Sequence, residues 1–231
     1  MSYQIDSRDC VTCKETNCFF KQTARTEWLE LLGDQKTTLI FQPGEEIFRE
    51  GEVMEGVYSI HYGAVKEVMG LDSDQPEIVS FSYDGMMIGF RGLRSREKKF
   101  RTTAIALSKA EFVFFPMKGF QIALRSNPTM LERLFHLSLE ELYRKETQSR
   151  WLLRASAEEK VRYVLQYFTE VFGLVGEGER KLAFTPSRKD MVSYSGLTYE
   201  TVTRVLRKLK QEGFIDIRGK EIYFDESFRF V

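Results

Sequence analysis

Residues 185 to 224 read TPSRKDMVSYSGLTYETVTRVLRKLKQEGFIDIRGKEIYF, and this stretch decides the fold. Ser187, followed three residues later by Asp190, caps a short helix, and Ser195-Gly196 supplies a tight turn after it. Thr198 then caps a second helix, expected over 199–210. Along that helix Val202, Val205, Leu206 and Leu209 recur at i, i+3, i+4 and i+7, the spacing of one buried face. Glu200, Thr203, Arg204 and Arg207 fall on the opposite face, with Tyr199 at its edge. Two short helices about a glycine turn, the second apolar behind and able to read base edges in front, specify a helix-turn-helix. Phe214 to Ile217 and Ile222 to Phe224 then form a β-hairpin around Arg218-Gly219-Lys220, a wing whose cations would meet phosphate. Any single charged helix reads more simply as a solvated surface. Here caps, turn, hairpin and charge all point to double-stranded DNA.

The charge argument is local. The 231 residues balance 34 Lys and Arg against 34 Asp and Glu, which excludes an even positive coat. Residues 181 to 220 nevertheless hold nine Lys/Arg against four Asp/Glu, so the surplus sits on the segment just read. Hydrophobic residues at 42% and charged residues at 29% are ordinary globular usage and exclude wholesale disorder. No apolar run reaches about 18 residues, so neither a spanning helix nor a membrane partner is expected. The terminus MSYQIDSRDC lacks the basic-then-apolar pattern of an export signal, and a cytoplasmic location is expected. No Ser/His/Asp arrangement, phosphate loop, H-E-x-x-H or paired-carboxylate site stands out, which disfavours an enzyme carrying an accessory DNA-like domain. The basic wing disfavours a carboxy-terminal fold used only for protein contacts.

Working upstream, Ser156-Ala157-Glu158-Glu159 is a capping box and starts a helix from 157 to about 172, ended by Gly173, Gly176 and Gly178. Residues 129 to 154 contain no Gly or Pro and carry a stripe through Leu131, Leu134, Phe135, Ser138 and Leu142. A helix of that length, about 39 Å, predicts a connector that pairs with its copy in a dimer. Residues 26 to 33 predict a short helix with Trp28, Leu31 and Leu32 on one side, ended by Gly33. Between 37 and 116 short runs alternate: Tyr58, Ile60 and Tyr62 against Val57, Ser59 and His61, then Val79, Phe81 and Tyr83 against Ser80 and Ser82. Arg101 to Phe115 is rich in Thr, Ile, Val and Phe. Gly44, Gly51, Gly56, Gly63 and Gly70 read as the turns of an antiparallel barrel or roll. The expected organisation is α+β: an amino-terminal arm over 1–25, an antiparallel β-roll sensor domain over 26–126, a long dimerisation helix over 127–154, and a winged helix-turn-helix over 155–231.

All three cysteines, Cys10, Cys13 and Cys18, lie on the arm. An odd count with C-x2-C-x4-C spacing argues against a disulfide framework and suits a metal or an iron–sulfur cluster. A fourth ligand is missing, with His61, His136 and Asp9 the available groups. The alternative is an inert or redox-active thiol trio.

With these residues in hand, the chain resembles the Crp/FNR family of bacterial transcription regulators over nearly its full length. Gly196 to Leu206 (GLTYETVTRVL) is similar to the family's recognition helix with its E-T-x-x-R core, and PGEEIFREGE (43–52) and YSIHYGAVK (58–66) are similar to its roll strands. The resemblance implies a homodimer on an inverted-repeat operator, with an amino-terminal roll of the cyclic-nucleotide-binding, cupin-like kind and RNA polymerase as a further partner. It implies that Glu200 accepts from a cytosine amino group, that Arg204 donates to guanine O6 and N7, and that Thr203 meets a thymine methyl. Arg188, Thr198 and Thr201 would hold phosphates, as would Arg218 and Lys220 in the wing. Tyr199 departs from both main branches of the family.

Two sensing schemes follow from the resemblance. The cyclic-nucleotide cassette uses a Gly-Glu pair for the ribose and an Arg-Ser or Arg-Thr pair for the phosphate. Residues 85 to 104 read GMMIGFRGLRSREKKFRTTA, so Met86 follows Gly85, no carboxylate appears before Glu97, and only Arg101-Thr102 remains. The FNR branch instead holds a [4Fe–4S] cluster on amino-terminal cysteines. Cys10, Cys13 and Cys18 resemble that set with a spacing of four in place of five, but Val113 stands where the fourth cysteine is expected. A cyclic nucleotide is accordingly the lesser expectation, and haem on His61 or His136 a weaker one.

Overall fold

Short strands interrupted by glycine pair only with antiparallel neighbours in the first part of the chain. The computed structural model describes residues 2–4, 10–74, 76–94, 97–176, 180–226 and 228. It divides into two units, Met1–Leu142 and Tyr143–Val231.

In the first unit the elements run β1 (Ser2–Gln4), α1 (Phe19–Thr23), α2 (Thr26–Gln35), β2 (Thr37–Phe41), β3 (Glu46–Phe48), β4 (Gly56–Tyr62), β5 (Val65–Met69) and β6 (Glu77–Ser82). Then come β7 (Met87–Ile88), a 3₁₀ turn (Phe90–Arg94), β8 (Thr103–Ala106), β9 (Ala110–Pro116) and α3 (Met117–Ser126). One sheet has the order β1-β2-β9-β4-β7 and the other β3-β8-β5-β6, which is the expected antiparallel roll. Its core is dominated by phenylalanine: Phe20, Phe41, Phe112, Phe115 and Phe120 are almost wholly withdrawn from water. The ring of Phe20 of α1 lies tilted against that of Phe115 of β9, centroids 4.0 Å apart, so the cysteine-bearing arm is anchored to the roll through an aromatic contact.

Several local expectations need correction. Helix α2 does not stop at Gly33 but runs through it to Gln35, and it buries Leu29 and Leu32 while Leu31 stays 44% exposed. An interior glycine costs about 1 kcal/mol, which two buried leucines at about 2 kcal/mol each outweigh. Alternation is also looser than the sequence suggests. Val57, Ser59 and Ile60 are all buried on β4, and bulges between Ile60 and Tyr62 and between Glu67 and Val68 shift the pairing. Helix α3, with Met117, Phe120 and Ala123 buried, follows a segment that read only as strand. Gly56 is not a turn residue like the other four glycines, which have positive φ. It opens β4, and a Cβ there would overlap the Phe115 carbonyl oxygen and sit 2.5 Å from the Phe114 ring.

Helix α4 spans Pro128–Arg154 without interruption. Pro128 occupies the first turn, where its missing N–H is not needed. Met130 and Leu134 are buried, whereas Leu131, Phe135, Leu139 and Leu142 are 44–60% exposed on another face.

In the second unit α5 (Ala157–Phe172) begins at the expected capping box, in which Ser156 Oγ accepts from Glu159 N and the Glu159 carboxylate accepts from Ser156 N. Gly173 ends it at φ 73°, Gly176 follows at φ 109°, and Gly178 lies outside the described residues. Then come β10 (Leu174–Val175), β11 (Arg180–Leu182), α6 (Arg188–Ser195), α7 (Tyr199–Gln211), β12 (Ile215–Arg218) and β13 (Glu221–Phe224). The hairpin belongs to a four-stranded sheet, β10-β11-β13-β12, whose first two strands the sequence reading did not anticipate.

Gly56→Ala is expected to lower the unfolding free energy by about 1–3 kcal/mol through overpacking against β9. Urea denaturation followed by tryptophan fluorescence measures the loss.

Candidate functional site

The second unit builds its site from two caps and a turn. Ser187 Oγ accepts from Asp190 N at 3.2 Å, and the Asp190 carboxylate accepts from Ser187 N at 3.1 Å, which fixes the start of α6. Gly196 then takes a left-handed conformation, φ 67° and ψ 19°, and ends it. Thr198 Oγ1 accepts from Thr201 N at 3.2 Å and starts α7. Gly196 has the φ that a β-carbon disfavours, so the turn angle between the helices is written into that residue.

Side-chain directions on α7 match the periodicity except at Thr203. Val202, Val205, Leu206 and Leu209 are buried at 0–6% exposure, packed with α5 and α6. Tyr199, Glu200, Arg204 and Arg207 are exposed. Arg204 and Arg207 engage no hydrogen-bond or ion-pair partner among the described residues. Thr203 is half-buried, and its Oγ1 is enclosed without a hydrogen-bond partner. The exposed hydroxyls of Thr198 and Thr201 lie 3.0 Å apart, hydrogen-bonded to each other at the first turn. Arg188 is exposed at the start of α6, and beside it stands Lys189, an exposed cation that the sequence reading counted in the charge surplus but did not single out.

The wing is less free than its sequence suggests. Arg218 Nε donates to Asp216 Oδ2 at 2.8 Å, and its guanidinium lies over the Tyr223 ring at 4.3 Å. Lys210 Nζ reaches the same carboxylate at 2.8 Å. Lys210 and then Arg218 hold the Asp216 carboxyl down at a pKa of about 2, so it stays ionised at any neutral pH. Lys220, at the hairpin tip, is exposed and unengaged among the described residues.

The first unit brings the three cysteines to one small cavity of about 50 Å3. Cys10, Cys13 and Cys18 share it with apolar Phe20 and Phe115 and with His61, Glu111 and Val113. Cys18 Sγ lies 3.6 Å from Ser59 Oγ, and Cys13 Sγ accepts from Glu15 N at 3.5 Å. Lys21 donates to the Cys13 carbonyl. The roll backbone comes very close here, because a Cβ on Gly85 would sit 2.5 Å from Asn17 Cβ. Sharing a cavity is not the same as converging on a metal. No three His, Cys, Asp or Glu side chains among the described residues are placed to hold one ion. The fourth-cysteine position, Val113, lines the same cavity with an apolar side chain, so this donor set does not fit a four-thiolate cluster. Of the two histidines weighed as ligands, His61 lines this cavity and His136 is exposed on α4.

The nucleotide cassette is also altered in three dimensions. Met86 is 39% exposed where the resemblance calls for a carboxylate. Thr102 is buried and donates its hydroxyl to Glu67 Oε2 at 2.5 Å, so of the Arg101-Thr102 pair only Arg101 lines an open groove. Among the described residues no helix is long and apolar enough to cross a membrane.

Comparison with known proteins finds two family models in this chain. A cyclic nucleotide-binding domain matches residues 38–127, and a Crp-like helix-turn-helix domain matches residues 149–225. The chain is similar to the electron transport regulator A of Shewanella oneidensis, with 25% identity over 181 residues, 78% of this chain and 72% of the relative. It is similar also to the fumarate and nitrate reduction regulatory protein of Salmonella typhimurium, with 24% identity over 186 residues, 80% of this chain and 74% of that one. Among solved structures it resembles FixK2 from Bradyrhizobium japonicum, with TM-score 0.72 and 26% identity, covering 83% of this chain and 93% of that one.

Replacing Thr198 with Ala removes the cap of α7 and is expected to cost about 1 kcal/mol. The loss should appear as a lower midpoint in chemical denaturation of the full chain.

Proposed function

The chain belongs to the Crp/FNR family of bacterial transcription regulators, and on that footing we propose that it regulates transcription as a homodimer that reads DNA through α7. The observation that most supports the reading is the division of α7 itself: four aliphatic residues turned to the core and Arg204, with Glu200, turned to solvent. In the major groove Arg204 donates two hydrogen bonds to guanine, and Glu200 accepts one from cytosine. Tyr199, Thr203 and Arg207 flank these contacts and tune the bases read beside them. Arg188, Thr198, Thr201, Arg218 and Lys220 hold phosphates, which sets register without reading sequence. Asp216 shares Arg218, so the wing's net pull on phosphate falls largely to Lys220.

The apolar face of α4 supplies the dimer seam. Leu131, Phe135, Leu139 and Leu142 fall at spacings of four, four and three, and two copies of this stripe would pack as a coiled coil. Paired copies of α7 then address half-sites about 34–36 Å apart, as an inverted repeat requires. The regulatory input in this reading is a redox signal taken by Cys10, Cys13 and Cys18, whose shared cavity rests against the aromatic core of the roll. Such a signal acts only by stabilising one arrangement of the regulator more than another.

Selection of the operator from a random duplex pool, followed by binding titrations, tests the reading. Arg204→Ala is expected to weaken binding to the selected operator by about 1–3 kcal/mol while leaving random duplex nearly unaffected. Lys220→Ala should weaken both alike and reduce the salt dependence by about one phosphate contact. Equal losses on operator and random duplex for Arg204→Ala would remove it from base reading.

A further inference from the structure

A charged network lies inside the roll. Glu67 of β5 is 3% exposed, and its carboxylate accepts from Thr102 Oγ1 at 2.5 Å and from Ser80 Oγ at 3.4 Å. Arg91 of the 3₁₀ turn brings Nη1 to 2.7 Å from Glu67 Oε2, an ion pair by distance rather than an aligned hydrogen bond. Its Nη2 donates to Ser80 Oγ at 3.2 Å and to Glu141 Oε1 of α4. The Arg91 and Glu141 side chains are 21% and 19% exposed, so most of both charges is out of water. An ion withdrawn from water costs several kcal/mol unless it is paired and hydrogen-bonded, and one guanidinium between two carboxylates meets that condition. Burial works against the charge on Arg91, while Glu67 and Glu141 more than offset it and hold the guanidinium protonated.

Of these groups Arg91 and Glu141 border the open groove of about 780 Å3 where Arg101, Phe90 and Leu134 also lie. We propose that the Glu141 carboxylate is a built-in occupant of an anion site on Arg91, and that this contact, in place of a bound nucleotide, fixes α4 against the roll. The altered cassette agrees with it. Thr102 is turned inward to Glu67, Met86 replaces a carboxylate, and the Glu141 carboxylate on the groove wall repels a phosphate. Arg91 is therefore a positioning residue. It carries the position of β5 and β6 to the helix whose apolar face forms the proposed seam, and the consequence for regulation rests on the reading of this chain as a dimeric regulator.

The test uses the full chain without DNA, so its outcome is separate from that of base recognition. Glu141→Ala opens a space the size of a small carboxylate, and its melting temperature is expected to fall by about 5 °C. Acetate in excess should recover most of that loss, and chloride at the same ionic strength should not. Cyclic AMP or cyclic GMP should leave the melting temperature of the unaltered chain unchanged, since a ligand that binds the folded state raises it. Should Glu141→Ala fail to fold, Glu141→Gln keeps the volume, and adding Arg91→Gln to it should then cost little more than either change alone. A melting temperature insensitive to Glu141→Ala, a loss that chloride recovers as well as acetate, strictly additive losses in the Gln pair, or a shift on adding a cyclic nucleotide would each overturn the proposal.

Discussion

Four aliphatic side chains on one side of α7 govern what the second unit can do. Val202, Val205, Leu206 and Leu209 together remove enough apolar surface to stabilise that unit by several kcal/mol, at about 2 kcal/mol each. Ion pairs around the same helix, such as Lys208 with Glu158 at 2.6 Å, stand partly or fully in water, where screening leaves them far weaker. The rotation of α7 about its axis is thus set by burial rather than by charge. Once Leu206 is inside, Arg204 has no choice but to face water. The polar front is a consequence of the apolar back.

The first unit follows a different rule. Its strands are too short to be stable as separate hairpins, and they depend on a shared core of phenylalanine rings. Phe20 brings the cysteine arm into that core, so packing against Phe115 positions the arm. Gly85 allows the approach by lacking the one atom that would strike Asn17. Some of the buried polar groups in this unit are gathered into one network. Glu67 accepts from Thr102 and Ser80 and pairs with Arg91, and a polar group buried alone would cost more than one held in such a network.

Much of the recognition helix was legible in the sequence because its determinants are neighbours along the chain. The caps at Ser156, Ser187 and Thr198, the turn at Gly196 and the four-residue apolar stripe all depend on residues within one or two helical turns. The roll was legible as a class but not in detail. Bulges on β4 and β5 depend on the partner strand, and α3 was hidden because its buried residues, Met117, Phe120 and Ala123, matter only once β4 and β9 lie beside them. Of the candidate site residues, Arg204 and Glu200 could be placed by period alone. The pairing of Arg218 with Asp216 could not, because both are exposed polar residues with several partners in reach.

Periodicity and capping act over a few residues, so the class of fold and the face that α7 presents could be read along the chain. That Glu67, Arg91 and Glu141 meet, that Thr102 turns inward, and that the cysteines share a cavity with His61, Glu111 and Val113 emerges only in three dimensions. These groups are separated by tens of residues, and a contact at that range depends on the path of the whole chain, which no local spacing encodes.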